Sequence, residues 1–154
     1  MPKYYNTSLR NLVWRLRRFK DILNDELTDE ILKNEDEIKI MIQEQLYSGY
    51  DGYTASIQPP YAPRTIKRKL KKGQPVDRVT LKDTGDFYKS LHVAFDNDGF
   101  YIASSNQELS AILRKRYGDS ILRLSNENLK ELLWTNIRPS LAIKMKNYVQ
   151  NGRT

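Results

Sequence analysis

Thr80-Leu81-Lys82-Asp83-Thr84-Gly85-Asp86-Phe87-Tyr88-Lys89-Ser90-Leu91 is the stretch on which the reading of this 154-residue chain turns. Phe87 and Leu91 stand four apart, the spacing of one helical turn, so Asp83-Thr84-Gly85 reads as a tight turn opening a short helix. Asp83 or Thr84 takes the N-cap and Asp86 is an acid in the first turn, where the helix dipole favours it. His92-Val93-Ala94-Phe95-Asp96 and Phe100-Tyr101-Ile102-Ala103-Ser104 then flank Asn97-Asp98-Gly99. Gly and Asn tolerate the positive φ of a tight connection, so 92–104 is an antiparallel hairpin. Upstream, Val79 to Leu81 reads as a brief strand.

Asp-Thr-Gly is also the catalytic triplet of retroviral-type aspartic proteases. Such an enzyme needs two carboxylates sharing one proton, which a short chain supplies by dimerising. That loop lies between apolar strands. Here Lys82 precedes the triplet and Asp86 follows it, placing charge where a desolvated dyad needs none. A dimeric aspartic protease using Asp83-Thr84-Gly85 is therefore a remote alternative. The chain has no phosphate-binding glycine loop, no Ser-His-Asp arrangement and no cluster at metal-ligand spacing. His92, the one histidine, reads as a strand residue. No enzyme activity, metal or cofactor is expected.

Composition describes a single domain large enough to bury roughly two-thirds of its unfolded surface. With 39% apolar and 29% charged residues and no cysteine, nothing depends on disulfides or thiolate metal sites, which fits a reducing cytoplasm. No run reaches a membrane span, and Met1-Pro2-Lys3-Tyr4-Tyr5 lacks the apolar core of a secretory leader. The net charge of +7 points to a polyanion or an acidic partner. Six of the nine residues from Arg64 to Lys72 are basic: Arg64, Lys67, Arg68, Lys69, Lys71 and Lys72. Arg10, Arg15, Arg17, Arg18 and Lys20 form a second cluster, and Asp29, Glu30, Glu35, Asp36 and Glu37 an acidic block. No aromatic interleaves with the 64–72 cluster, so neither base reading nor single-strand stacking is supported.

The fold class expected is α+β, a small antiparallel β-sheet packed against long N- and C-terminal α-helices. Leu9, Leu12, Val13, Leu16, Phe19 and Leu23 give an amphipathic helix over 7–24, capped by Thr7 or Ser8. Ile31, Ile38, Met41, Ile42 and Leu46 continue to about Tyr47. Asn24-Asp25 and Thr28 are poor helix-interior residues, which favours two helices across 1–47. Residues 48–63 form a Tyr/Pro/Gly-rich loop whose Tyr50, Tyr53 and Tyr61 are interface candidates. The core, 64–150, opens with a basic helix from Thr65 to Gly73. Glu108 to Tyr117 is a helix with Leu109, Ile112 and Leu113 inside, ended by Gly118. Ser125 caps the C-terminal helix, 126–150, with Glu127 in its first turn. Leu129, Leu133, Ile137, Leu141 and Met145 form its stripe, widened by Leu132 and Tyr148, and Pro139 kinks it without ending it. Asn151-Gly152 closes it.

This order of elements resembles the tail-completion, or neck, proteins of tailed phages and the related Mu-type virion-morphogenesis family. The resemblance rests on Pro63 and Thr65 with the basic run after them, and on Leu81 with Asp83-Thr84-Gly85 and Ser90. It continues through Tyr117-Gly118 and Leu122-x-Leu124-Ser125 into Leu129, Leu133 and Ile137, covering roughly 50–150. The family's Pro-x-Arg-Pro-Phe element is replaced here by Gly118-Asp119-Ser120-Ile121, and the tyrosine loop is longer. The resemblance implies a non-enzymatic virion protein, assembled in the host cytoplasm, that forms a homo-oligomeric ring joining portal to tail around the DNA channel. Its implied partners are copies of itself, portal or adaptor and tail proteins, and packaged DNA without sequence preference, with no membrane. The contact candidates are Arg64, Lys67, Arg68, Lys69, Lys71, Lys72, Tyr50, Tyr53 and Tyr61; Asp83, Thr84 and Gly85 shape the turn. The alternative from another class is a basic nucleic-acid-binding protein acting without a ring.

Overall fold

The computed structural model describes residues 9–151, with side chains from Asn11 onward. The expected cap at Thr7 or Ser8, the side chains of Leu9 and Arg10, and the stop at Gly152 lie outside the described residues. The fold is α+β: mostly helix, with one two-stranded antiparallel sheet and long helices at either end of the chain. Among the described residues no helix is long and apolar enough to cross a membrane. The chain forms two compact units, one from Met1–Asn34 with Glu131–Thr154 and one from Glu35–Lys130.

In the first unit, α1 (Leu9–Lys33) packs along α7 (Arg138–Asn151). Helix α1 does not break at Asn24-Asp25 or Thr28. Each of those residues costs less than about 0.7 kcal/mol against alanine, and the contacts along α7 outweigh it. Phe19 meets Tyr148 with ring centroids 5.7 Å apart, and Arg15 Nη1 donates to the Val149 carbonyl at 2.6 Å. The break falls at Asn34, whose amide Nδ2 donates to the Glu30 carbonyl at 2.8 Å and so competes with helix continuation. Helix α2 (Glu35–Tyr47) then starts on Glu35, Asp36 and Glu37, three acids placed where the macrodipole favours them.

The acidic block is thereby divided. Glu30 is buried and accepts from Lys33 Nζ and Lys144 Nζ, each at 2.9 Å. Burial raises the Glu30 pKa, but hydrogen bonds from Ser140, Lys144 and Lys33 outweigh it and hold the carboxyl down at about 2. A depressed carboxylate stabilises the fold above its unfolded pKa, and that stability is lost as pH falls through the folded value. The melting temperature is therefore expected to decline from about pH 4.5 towards pH 2. In Glu30→Gln that part of the decline disappears; an identical acid limb in both proteins counts against the assignment.

The last helix runs as α6 (Asn126–Glu131), a π turn at Leu132–Ile137, and α7. Ser125 accepts from the Asn128 N–H at 3.2 Å, the expected cap, with Glu127 in the first turn. Pro139 does not end the helix. The wider π register just before it changes the helical phase, so the four-residue stripe is buried only in part: Ile137 is buried and Leu129 and Leu141 are half-buried. Leu132 is fully buried, whereas Leu133 and Met145 are exposed.

In the second unit β1 (Leu91–Asp96) pairs with β2 (Gly99–Ser104), Leu91 opposite Ser104 and Asp96 opposite Gly99, and β1 packs on α2. The hairpin stands where the alternation placed it, and Gly99 takes the positive φ expected of it, 137°. Asn97 and Asp98 have no positive φ; the Asp96 carboxylate accepts from the N–H groups of Asp98 at 2.9 Å and Gly99 at 3.1 Å. The basic helix is α3 (Pro63–Lys71), and the short helix after the turn is α4 (Asp86–Ser90). Helix α5 (Gln107–Tyr117) is capped by Asn106 and ends at Gly118, as expected. Leu109 and Leu113 are half-buried, but Ile112 is exposed.

Candidate functional site

Val79, Thr80 and Leu81 are buried, yet they form no strand. Buried N–H groups need acceptors, and here a phenol supplies them. Tyr61 Oη accepts from the N–H of Thr80 at 2.8 Å and of Leu81 at 3.2 Å, while Tyr88 Oη donates to the Thr80 carbonyl at 2.5 Å. Leu81 adopts a left-handed conformation, φ 53°. Two tyrosine side chains therefore do what a neighbouring strand does in a sheet. Tyr61, read as an interface aromatic, is half-buried, with its hydroxyl engaged inside the fold.

The Asp-Thr-Gly turn is stitched to α3. Lys69 Nζ donates to the Lys82 carbonyl at 2.6 Å and to Gln74 Oε1 at 3.0 Å. Gln74 Nε2 in turn donates to the Asp83 carbonyl at 2.6 Å. The Asp83 carboxylate takes Lys72 Nζ at 2.6 Å and Arg68 Nη2 at 3.3 Å. Gln74, just beyond the helix stop at Gly73, carried no sequence signal beyond its place in the turn. Neither Asp83 nor Thr84 is the N-cap of α4. That position is Gly85 at φ 94°, and Thr84 Oγ1 donates instead to the Asp86 carboxylate at 2.6 Å.

These elements enclose a cleft of about 240 Å³ whose floor includes Leu81, Phe87, Leu109 and Leu113 and whose rim carries Arg68, Lys82, Asp83 and Arg116. The hydrogen bond from Lys72 lowers the Asp83 pKa; partial burial opposes this, and the charges of Arg68, Lys72 and Lys69 lower it further. In this chain the Asp83 carboxylate is engaged by Lys72 and Arg68, two cations, where a protease dyad sets a second carboxylate. Asp83→Asn is expected to cost about 0.5–1 kcal/mol, the scale of a half-exposed ion pair, in urea melts. Peptide cleavage at pH 3–7 that the substitution abolishes would instead establish the protease.

The structure sorts the basic segment. Lys69 is buried, 2% exposed, with its ammonium 5.0 Å from the Tyr61 ring centroid, and is withdrawn from any contact surface. Arg68 and Lys72 are committed to Asp83. Arg64, Lys67 and Lys71 are exposed and, among the described residues, without an ion pair. Tyr50 and Tyr53 are exposed; Tyr53 lies beneath the Arg123 guanidinium, 5.0 Å from the ring centroid. Of the second cluster, Arg15 binds carbonyls of α7 and Arg18 covers Trp14. Comparison with protein-family models, curated proteins and solved structures finds no match to this chain.

Proposed function

We propose that the chain is a structural subunit of a phage neck, forming a ring of identical copies between portal and tail around the DNA channel. The observation that carries this reading is the fate of the Asp-Thr-Gly turn. The Asp83 carboxylate accepts from Arg68 and Lys72, the Asp83 carbonyl from Gln74 and the preceding Lys82 carbonyl from Lys69, so the motif acts as a joint between the basic segment and the hairpin. A turn that shapes the backbone in this way is compatible with the ordered set of motifs by which the chain resembles neck proteins.

Two further features support a subunit that works beside copies of itself. The helical hairpin of the first unit leaves Val13, Trp14 and Leu16 on α1, and Ile143 and Met145 on α7, exposed. A pair of helices buries one stripe on each, and large apolar side chains beyond that stripe mark surfaces that associate. The charges are segregated too: exposed Asp29, Asp36 and Glu37 stand apart in sequence from exposed Arg17, Arg18 and Lys20. Head-to-tail contacts in a ring join unlike patches of this kind.

Electron microscopy of the purified protein, alone and with portal, tests the proposal. Rings of uniform stoichiometry with an axial opening are expected. A protein that stays monomeric at tens of micromolar in both preparations would refute it.

A further inference from the structure

We propose that the outward side of α3 is a docking strip for the phosphodiester backbone of duplex DNA, gripped by Arg64, Lys67 and Lys71 without reading base sequence. The inference deepens the neck reading and rests on it for the source of the duplex.

At 100° per residue, Lys67, Lys71, Arg64, Arg68 and Lys72 fall within one arc of the helix surface, and the more buried Thr65, Ile66 and Lys69 occupy the other side. The strip therefore holds cations only. Like charges three and four residues apart, as in 64/67, 64/68, 67/71 and 68/71, destabilise a helix by about 0.2–0.5 kcal/mol per pair. A face kept only for solubility mixes both signs, as α2 does with Glu35–Lys39 and Asp36–Lys39. Among the described residues the acid ion-paired to this segment, Asp83, is taken by Arg68 and Lys72, and Arg64, Lys67 and Lys71 have no ion pair. A polyanion removes that repulsion.

Spacing and composition select the polyanion. From residue 64 to 71 the helix rises about 10.5 Å. Duplex DNA presents a phosphate about every 3.4 Å of axis on each strand, so three cations span about three phosphates. Protein interfaces place aromatic and apolar anchors at their centres and are depleted in lysine. The strip has no aromatic, and Leu70 lies at its border rather than its middle. The lack of aromatics also disfavours single strands, whose bases need a stacking platform.

The test is fluorescence anisotropy with a labelled 30-base-pair duplex of random sequence, titrated with salt for the wild type, R64Q/K67Q/K71Q and R17Q/R18Q/K20Q. Removing three phosphate contacts lowers the slope of log K against log salt by about 2.7, a difference of about 40-fold across 50–200 mM. The R17Q/R18Q/K20Q protein keeps more of the wild-type slope, and melting curves of R64Q/K67Q/K71Q match the wild type. An unchanged slope in R64Q/K67Q/K71Q, or no duplex binding by the wild type at 50 mM salt, overturns the proposal. Mass photometry without DNA separates the two readings. If R64Q/K67Q/K71Q loses assembly in the absence of DNA, the strip holds protein and the DNA contact is wrong. If the wild type binds duplex through these residues but never assembles, the contact stands and the neck reading falls.

Discussion

Gly52→Ala is expected to destabilise the protein by about 3 kcal/mol, the upper part of the range for overpacking a tight contact. For a chain of this size that lowers the melting temperature by about 6–12 °C. A Cβ at Gly52 stands 2.4 Å from Arg123 Cβ and 2.6 Å from the Arg123 carbonyl oxygen. One obstacle is backbone and the other sits at the root of a side chain, so neither is relieved by a rotamer change. The Gly52 N–H also donates to the Ser120 carbonyl at 2.9 Å, which fixes the loop where it is. The comparison is Gly73→Ala, where a new Cβ meets nothing within 4 Å and the strain comes from φ 64° alone. That change should cost about 1 kcal/mol. Equal melting temperatures for the two variants would mean that loop 48–62 does not close on Arg123.

Lys69→Ala is expected to cost about 3 kcal/mol in urea denaturation, whereas Lys67→Ala on the same helix stays within about 0.5 kcal/mol. The part-buried Lys82 carbonyl and Gln74 Oε1 each lose a charged donor, and a hydrogen bond to a charged group is worth about 1.5–3 kcal/mol. Lost packing of the aliphatic stem adds to this. Lys69→Met, which keeps the stem and loses the ammonium, should fall between. Indistinguishable midpoints for Lys69→Ala and Lys67→Ala would show that the ammonium lies in water and that α3 is not fastened to the turn.

The pair also shows what the order of residues conceals. Lys67 and Lys69 are the same residue type, two apart, in one basic run, and nothing local separates them. Helical phase alone puts them on opposite sides, but which side is buried depends on Tyr61 and Lys82, eight and thirteen residues away. The elements read from sequence to within about two residues are those whose signal is local: the hairpin expected at 92–104 and found from Leu91, the basic helix expected from Thr65 and found at Pro63–Lys71, the stop at Gly118 and the Ser125 cap. The misread ones involve distant partners. The strand expected at Val79–Leu81 had the right apolar content but found a phenol oxygen instead of a second strand. The break expected at 24–28 was bridged by packing on α7, while the acids at 35–37, a helix-start signal present in the sequence, marked the true joint.

By itself, then, the sequence determined the α+β class, the two strands, and the concentration of positive charge on one short helix, because alternation, turn chemistry and helical spacing act over a few residues. Tertiary structure decided that Asp83 is an ion-paired carboxylate in a joint and that, among the described residues, three of the six cations of 64–72 have neither an ion pair nor a side-chain hydrogen bond. The physical reason is that a charged group's role follows from what stands within about 3 Å of it, and for Asp83 and Lys69 those neighbours come from separate segments brought together only by folding.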